Sequence, residues 1–151
     1  MNIEQILVPV DYSECSARAL TLAAELAAKA GATVDVIHAW DRPLYISESV
    51  VVSQPSGESR SLIDMIREGA EAEMTTFLAG VKLPSSVKLT HRMLSGNPAA
   101  KILEELRRGQ HQLVVLGTHG RTGLTHALLG SVAEKVVRLS PVPVLTVPRS
   151  A

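Results

Sequence analysis

Ile6-Leu7-Val8-Pro9-Val10, the turn Asp11-Tyr12-Ser13 and the Ala- and Leu-rich run that continues to residue 30 decide the fold. The first five residues show no polar alternation, which suits a strand buried on both faces. Ser13 stands where a helix over 14–30 needs an N-cap, and Gly31 where it needs a stop. Past Gly31-Ala32 the chain reads Val34-Asp35-Val36-Ile37-His38-Ala39, a second strand. Strand, helix and strand in that order are the unit of a parallel sheet with its crossover.

Outward from this unit, residues 41–59 hold Pro43, Pro55, Gly57 and five serines. Only Val50-Val51-Val52 has strand character there, so the stretch reads as a long loop, either functional or concealing an element. Residues 60–79 return to helical spacing, with Leu62, Ile63, Ile66, Ala70, Met74, Phe77 and Leu78 on one face and Gly80 at the end. A third strand over 87–94 is partly polar and is expected nearer a sheet edge. Gly96-Asn97-Pro98 opens another helix, with Asn97 as cap, Pro98 in the first position and Gly109 past the end.

Leu113-Val114-Val115-Leu116 is the most apolar strand and runs directly into Gly117. Residues 117–129 then lead to a helix over about 131–139. The last strand, 142–147, lies between Pro141 and Pro148 and has Pro143 near its start. Proline cannot donate to a ladder, so this strand belongs at a sheet edge. Five strands alternating with four helices predict an α/β fold of three layers, with helices about an open, mainly parallel sheet. Residues 1–151 read as a single domain.

Composition narrows the function. Of 151 residues 46% are apolar and 20% charged, and fifteen Lys plus Arg balance fifteen Asp plus Glu. Low hydrophobicity and unbalanced charge, the marks of long disordered tails, are both missing. Zero formal charge leaves no global basic field for a nucleic acid, and 3% aromatic residues leave few stacking platforms. No apolar run approaches the roughly eighteen residues of a membrane span, and Glu4 stands where a signal peptide would be basic. A cytoplasmic, non-inserted protein is expected. Cys15 is the only cysteine, excluding an intrachain disulfide, and it is expected to pack as a small hydrophobe. The five histidines show no zinc-ligand spacing, and His38 reads as a core or near-core histidine.

In an open α/β sheet ligands sit beyond the carboxyl ends of the strands, where the strand order reverses. Two segments suit that place: Pro9-Val10-Asp11, and the stretch that begins Gly117-Thr118-His119-Gly120-Arg121-Thr122-Gly123. The second runs Gly117-x2-Gly120-x9-Gly130-Ser131 into a helix start. Glycines let a ligand approach the backbone, and unpaired N–H groups at a helix N-terminus form an anion site. Gly130, Ser131 and Val132 are therefore candidate phosphate donors; the plainer alternative is that the glycines only turn the chain and Ser131 only caps. Leu129 precedes Gly130-Ser131, so no Walker loop is present, and the turn after the first strand lacks Gly-x-Gly-x-x-Gly.

These residues carry a resemblance. Residues 6–11, the Ala-rich helix, 36–39, Gly96-Asn97-Pro98-Ala99, 117–132 and 143–147 together resemble the universal stress protein family, over nearly the whole chain. Gly-x2-Gly-x9-Gly-Ser is similar to that family's ATP-binding pattern. The resemblance implies a five-stranded parallel sheet of order 3-2-1-4-5, the architecture shared with adenine-nucleotide α-hydrolases, and ATP held with Mg²⁺. It places Pro9, Val10 and Asp11 beside adenine and ribose, and Ala39 over the base through its backbone. Leu116 and Gly117 then flank the ribose, and His119, Gly120, Gly130, Ser131 and Val132 surround the phosphates. Asp11 has two open roles: a contact to the ligand or Mg²⁺, or the turn that caps the following helix. Tyr12 departs from the family's pattern as a bulky residue able to narrow or line the pocket, and Trp40 falls close to the adenine lip. Arg121 has the length to reach a terminal phosphate and is otherwise a solvated loop charge.

The function expected on this footing is an ATP-binding regulatory dimer of the stress-response type, paired through strand 142–147 and acting on an unidentified protein partner. No acid–base pair is evident at the phosphate site, so hydrolysis is expected to be slow at most. Two alternatives remain: a ligand-free interaction dimer, and an α-hydrolase-type enzyme. The second needs a Ser-Gly-Gly-x-Asp-Ser style loop that Asp11-Tyr12-Ser13-Glu14-Cys15 does not supply.

Overall fold

The structure is a computed structural model that describes residues 2–41, 47–120 and 129–150. Among these, the elements run β1 (Gln5–Pro9), α1 (Glu14–Ala30), β2 (Thr33–Trp40), β3 (Val51–Ser53), β4 (Ser59–Ser61), α2 (Leu62–Ala79), β5 (Lys88–Ser95), α3 (Pro98–Arg107), β6 (Leu113–Gly117), α4 (Ser131–Leu139) and β7 (Val144–Val147).

The main sheet has the order β5-β2-β1-β6-β7, and its four pairings are all parallel. Counting its own strands alone, this is the expected 3-2-1-4-5. The chain differs from expectation in a second, two-stranded antiparallel sheet, β3 with β4, inside what reads as a loop. Gly57 at φ 86° closes that hairpin, and Gln54 N–H donates to the Glu58 carbonyl at 2.8 Å. Ser59-Arg60-Ser61 contains no apolar residue, so no periodicity reveals it as a strand, and α2 starts at Leu62 instead of residue 60. Both edges fall where expected, β5 at one side and the proline-bounded β7 at the other.

Strand alternation divides the core. Ile6, Val8, Val34, Val36, Leu113 and Val115 face α1 and α2, meeting Ala19, Leu20, Ala23, Ala27 and Met74. Leu7, Ile37, Val114 and Leu116 face α3 and α4, meeting Ile102, Leu106, Ala133 and Val136. Alanine spacing on α1 lets that helix lie close to the sheet, and its ends follow the sequence. Ser13 accepts from the Ser16 N–H, and Gly31 adopts φ 70°. Asn97 likewise caps α3 by accepting from the Ala100 N–H, with Pro98 in the first turn. Met74 is the one buried residue of α2; Leu62, Ile63, Ile66, Ala70, Phe77 and Leu78 are half-buried, so this helix covers the outer part of its face.

Candidate functional site

β1 and β6 are neighbours at the centre of the sheet, and their connections leave toward opposite sides. The crevice beyond their carboxyl ends is the switch point. A cavity of about 320 Å³ opens there, within the usual range of small-molecule sites. All eleven residues expected at a ligand site line it: Pro9, Val10, Asp11, Ala39, Leu116, Gly117, His119, Gly120, Gly130, Ser131 and Val132. Ser16, Pro98, Ile102, Thr118 and Ala133 complete the wall. Thr118 belongs to the candidate segment and Pro98 to a motif of the resemblance, though neither has a site role in the sequence reading; Ser16, Ile102 and Ala133 have no place in it at all. Ile102 lies four residues after Pro98, hence on the same helix face, and that spacing was the available signal.

Each side of the cavity has a local cause. Asp11 Oδ1 accepts from the Ser13 backbone N–H at 3.0 Å and from the Ser13 hydroxyl, so the turn-capping role is real. Its other oxygen, Oδ2, faces Gly120 so closely that a Cβ there would sit 2.8 Å from it. Asp11 is thus both a turn residue and a wall of the cavity. Gly117 ends β6 against the first turn of α1, where a Cβ would lie 2.9 Å from Cys15 Sγ. Cys15 is buried, with its thiol 3.1 Å from the Val147 carbonyl, and packs as expected.

The phosphate-side expectation concerns the start of α4. Gly130 is its N-cap, supplies no side chain, and donates its N–H to the Thr118 carbonyl at 2.7 Å. A Cβ on Gly130 would lie 3.1 Å from that same oxygen. As a glycine, the N-cap offers no side-chain acceptor to the first turn of α4, and none is supplied among the described residues. Its leading N–H groups therefore face the cavity mouth as donors, carrying the positive end of the helix dipole. His119 Nδ1 lies 2.8 Å from Thr118 Oγ1, which orients the imidazole beside them. Arg121, with residues 121–128, lies outside the described residues.

Tyr12, a residue able by its size to narrow or line the pocket, is not in the cavity wall. With φ 65° it is the one non-glycine residue at positive φ among those described, and its ring turns to the other face of the sheet. There it stacks on His38 at 4.3 Å between centroids and meets Phe77 at 5.4 Å. Trp40 is the last residue of β2, beside Ala39 but not in the wall. His38 is half-buried and satisfied, as expected of a near-core histidine, with Nδ1 2.7 Å from the Val10 carbonyl.

A buried charge cluster beneath α3 was not foreseen. Asp35 of β2 accepts from Thr90 at 3.0 Å, Arg92 at 2.6 Å and His111 Nε2 at 3.0 Å, and Arg92 also reaches Glu105 at 3.0 Å. Burial pushes the Asp35 carboxyl up, but hydrogen bonds from His111, Arg92 and Thr90 outweigh it and hold the pKa down at about 2. The cluster ties β2 and β5 to α3, whose first turn supplies Pro98 to the cavity. Among the described residues no group of three or more His, Cys, Asp or Glu is arranged to hold a metal ion by itself.

Comparison with known proteins decides the family. The model of the universal stress protein family matches residues 2–148. The chain belongs to the universal stress protein family. A relative in Methanocaldococcus jannaschii, universal stress protein MJ0531, is 36% identical over 149 residues, 95% of this chain and 81% of its own. Among solved structures, hypothetical protein MJ0577 is similar over 100% of this chain and 99% of its own, with TM-score 0.77 and 27% identity. A universal stress protein crystallised in complex with cAMP is similar over 99% of this chain and 100% of its own, with TM-score 0.62 and 25% identity. The universal stress protein fold is therefore present with its switch-point crevice formed. Among the described residues no helix is long and apolar enough to cross a membrane.

Proposed function

We propose that this universal stress protein binds ATP with Mg²⁺ in the switch-point cavity and works as a nucleotide-dependent regulatory homodimer in the cytoplasm, as a single domain. The observation that carries the reading is the pairing of two features in one crevice. Gly117, Gly120 and Gly130 let the chain pack closely around the crevice, against Cys15, Asp11 and the Thr118 carbonyl, and the first turn of α4 opens on that same crevice. Such a surface favours a polyanion, because oriented N–H groups are already in place and no side chain need move aside.

The apolar end of the cavity, between Val10, Ala39 and Ile102, suits a flat base. The similar protein solved with cAMP carries an adenine nucleotide, which supports adenine as the base. Ser131 and Val132 would donate to phosphate, with His119 beside them; Gly130, expected as a third donor, has its N–H committed to the Thr118 carbonyl and serves as the turn that opens α4. Mg²⁺ fits as a companion of the phosphates, with Asp11 the one carboxylate among the described residues that line the cavity. No residue pair suited to acid–base chemistry enters this reading, so turnover is slow at most.

Calorimetric titration with MgATP tests the reading, with nucleotide analysis of the supernatant after heat denaturation of the purified protein. Saturable one-to-one binding is expected. A chain that takes up neither MgATP nor AMP and releases no nucleotide is a ligand-free interaction protein. Steady-state turnover with labelled ATP at rates typical of enzymes would place it among hydrolases instead.

A further inference from the structure

β1 and β2 run in parallel with Pro9 opposite Ile37, so Val10 stands opposite His38. In a parallel ladder Val10 exchanges two bonds with the strand beside it. Its N–H goes to the carbonyl one residue before His38, and its carbonyl takes the N–H one residue after. The first bond is present, from Val10 N–H to the Ile37 carbonyl at 2.8 Å. The second would come from Ala39. In its place the His38 side chain reaches the Val10 carbonyl, with Nδ1 at 2.7 Å. A carbonyl only accepts, so Nδ1 carries the proton.

Ala39 then has a definite orientation. The Gly96 N–H donates to the Trp40 carbonyl at 2.9 Å, so the backbone of Trp40 faces β5. Backbone groups alternate along a strand, and those of Ala39 therefore face the β1 side, just where β1 has ended and the cavity begins. We propose that His38 is a positioning residue for the nucleobase: by occupying the Val10 carbonyl it keeps the Ala39 N–H out of the sheet and free for the base edge. Two further contacts hold the imidazole in that role. Tyr12 stacks on its face, and the Tyr12 hydroxyl is fastened to Met93 Sδ at 3.7 Å. The left-handed turn at Tyr12 is what brings its ring over His38.

This inference rests on the nucleotide reading of the cavity, and two variants separate the two. His38→Phe keeps an aromatic ring for the stack and deletes the donor; His38→Asn restores a donor near the position of Nδ1. In ligand-free protein, the Ala39 amide is expected to exchange its proton freely in the parent and about tenfold or more slowly in His38→Phe, where it recaptures the Val10 carbonyl. Calorimetry should show ATP binding weakened about tenfold in His38→Phe, and within about threefold of the parent in His38→Asn. Circular dichroism checks that all three chains are folded.

Equal Ala39 exchange in parent and His38→Phe overturns the role of His38. So does parent-like ATP affinity in His38→Phe, or a loss in His38→Asn as large as in His38→Phe. A parent that binds no ATP overturns the nucleotide reading instead, and the exchange result alone then decides whether His38 keeps Ala39 out of the ladder.

Discussion

Replacing Asp35 by Asn tests the buried cluster that anchors α3 under the cavity. The Asp35 side chain is 11% exposed and accepts three side-chain hydrogen bonds. Its pKa falls from 3.8 to about 2. At about 1.4 kcal/mol per pH unit, this corresponds to about 2 kcal/mol of folding stability at neutral pH. The folded-state pKa is depressed, so the stabilisation is complete above 3.8 and is lost as the pH falls through about 2. Asp35→Asn keeps the shape and one acceptor oxygen but has no charge to titrate. Urea denaturation should show it about 2 kcal/mol less stable than the parent at pH 7, with the gap shrinking to about 1 kcal/mol near pH 3. A thermal melt at pH 7 should fall by roughly 4–8 °C for a chain of this size. A gap that stays constant between those two pH values, or no gap at all, would refute the assignment of a depressed Asp35 carboxyl held by His111, Arg92 and Thr90.

Three further outcomes are expected. Gly130→Val would press a branched side chain on the Thr118 carbonyl, already 3.1 Å from a bare Cβ, and should weaken ATP binding about tenfold or more. Parent-like affinity by calorimetry means that the phosphates lie elsewhere. Gly117→Ala brings a methyl to 2.9 Å from Cys15 Sγ and should cost about 1–3 kcal/mol by overpacking, read in urea denaturation. Adding Cys15→Ala should recover part of that loss. Among the described residues β7 is an open edge of the sheet, which pairing with a second copy across a two-fold axis would cover, so light scattering at micromolar concentration should report a dimer. A monomer there removes strand 144–147 as an interface.

The site was legible because its signals are local. Gly117, Gly120 and Gly130 are spaced for a backbone cradle, and Ser13, Asn97 and Pro98 mark helix starts within three residues of themselves. The hairpin β3–β4 was not legible, because a three-residue strand without an apolar residue leaves no period to detect. The place of the Tyr12 side chain was left open by the sequence for a different reason. Its position in the turn predicts proximity to the cavity, while its direction depends on a φ of 65° and on rings from β2 and α2.

By itself, the sequence determined the order of the main-sheet strands and the helices between them, the caps of α1 and α3, the proline-bounded edge and the glycines of the crevice. Each of those follows from spacing, a missing N–H or a missing Cβ within one short window. Only the tertiary structure decided that Asp35 meets Arg92 and His111 across 57 and 76 residues, and that His38 takes the carbonyl of Val10. Such partners are chosen by which strands lie side by side and by what burial leaves unsatisfied. Those conditions arise only when the sheet has assembled.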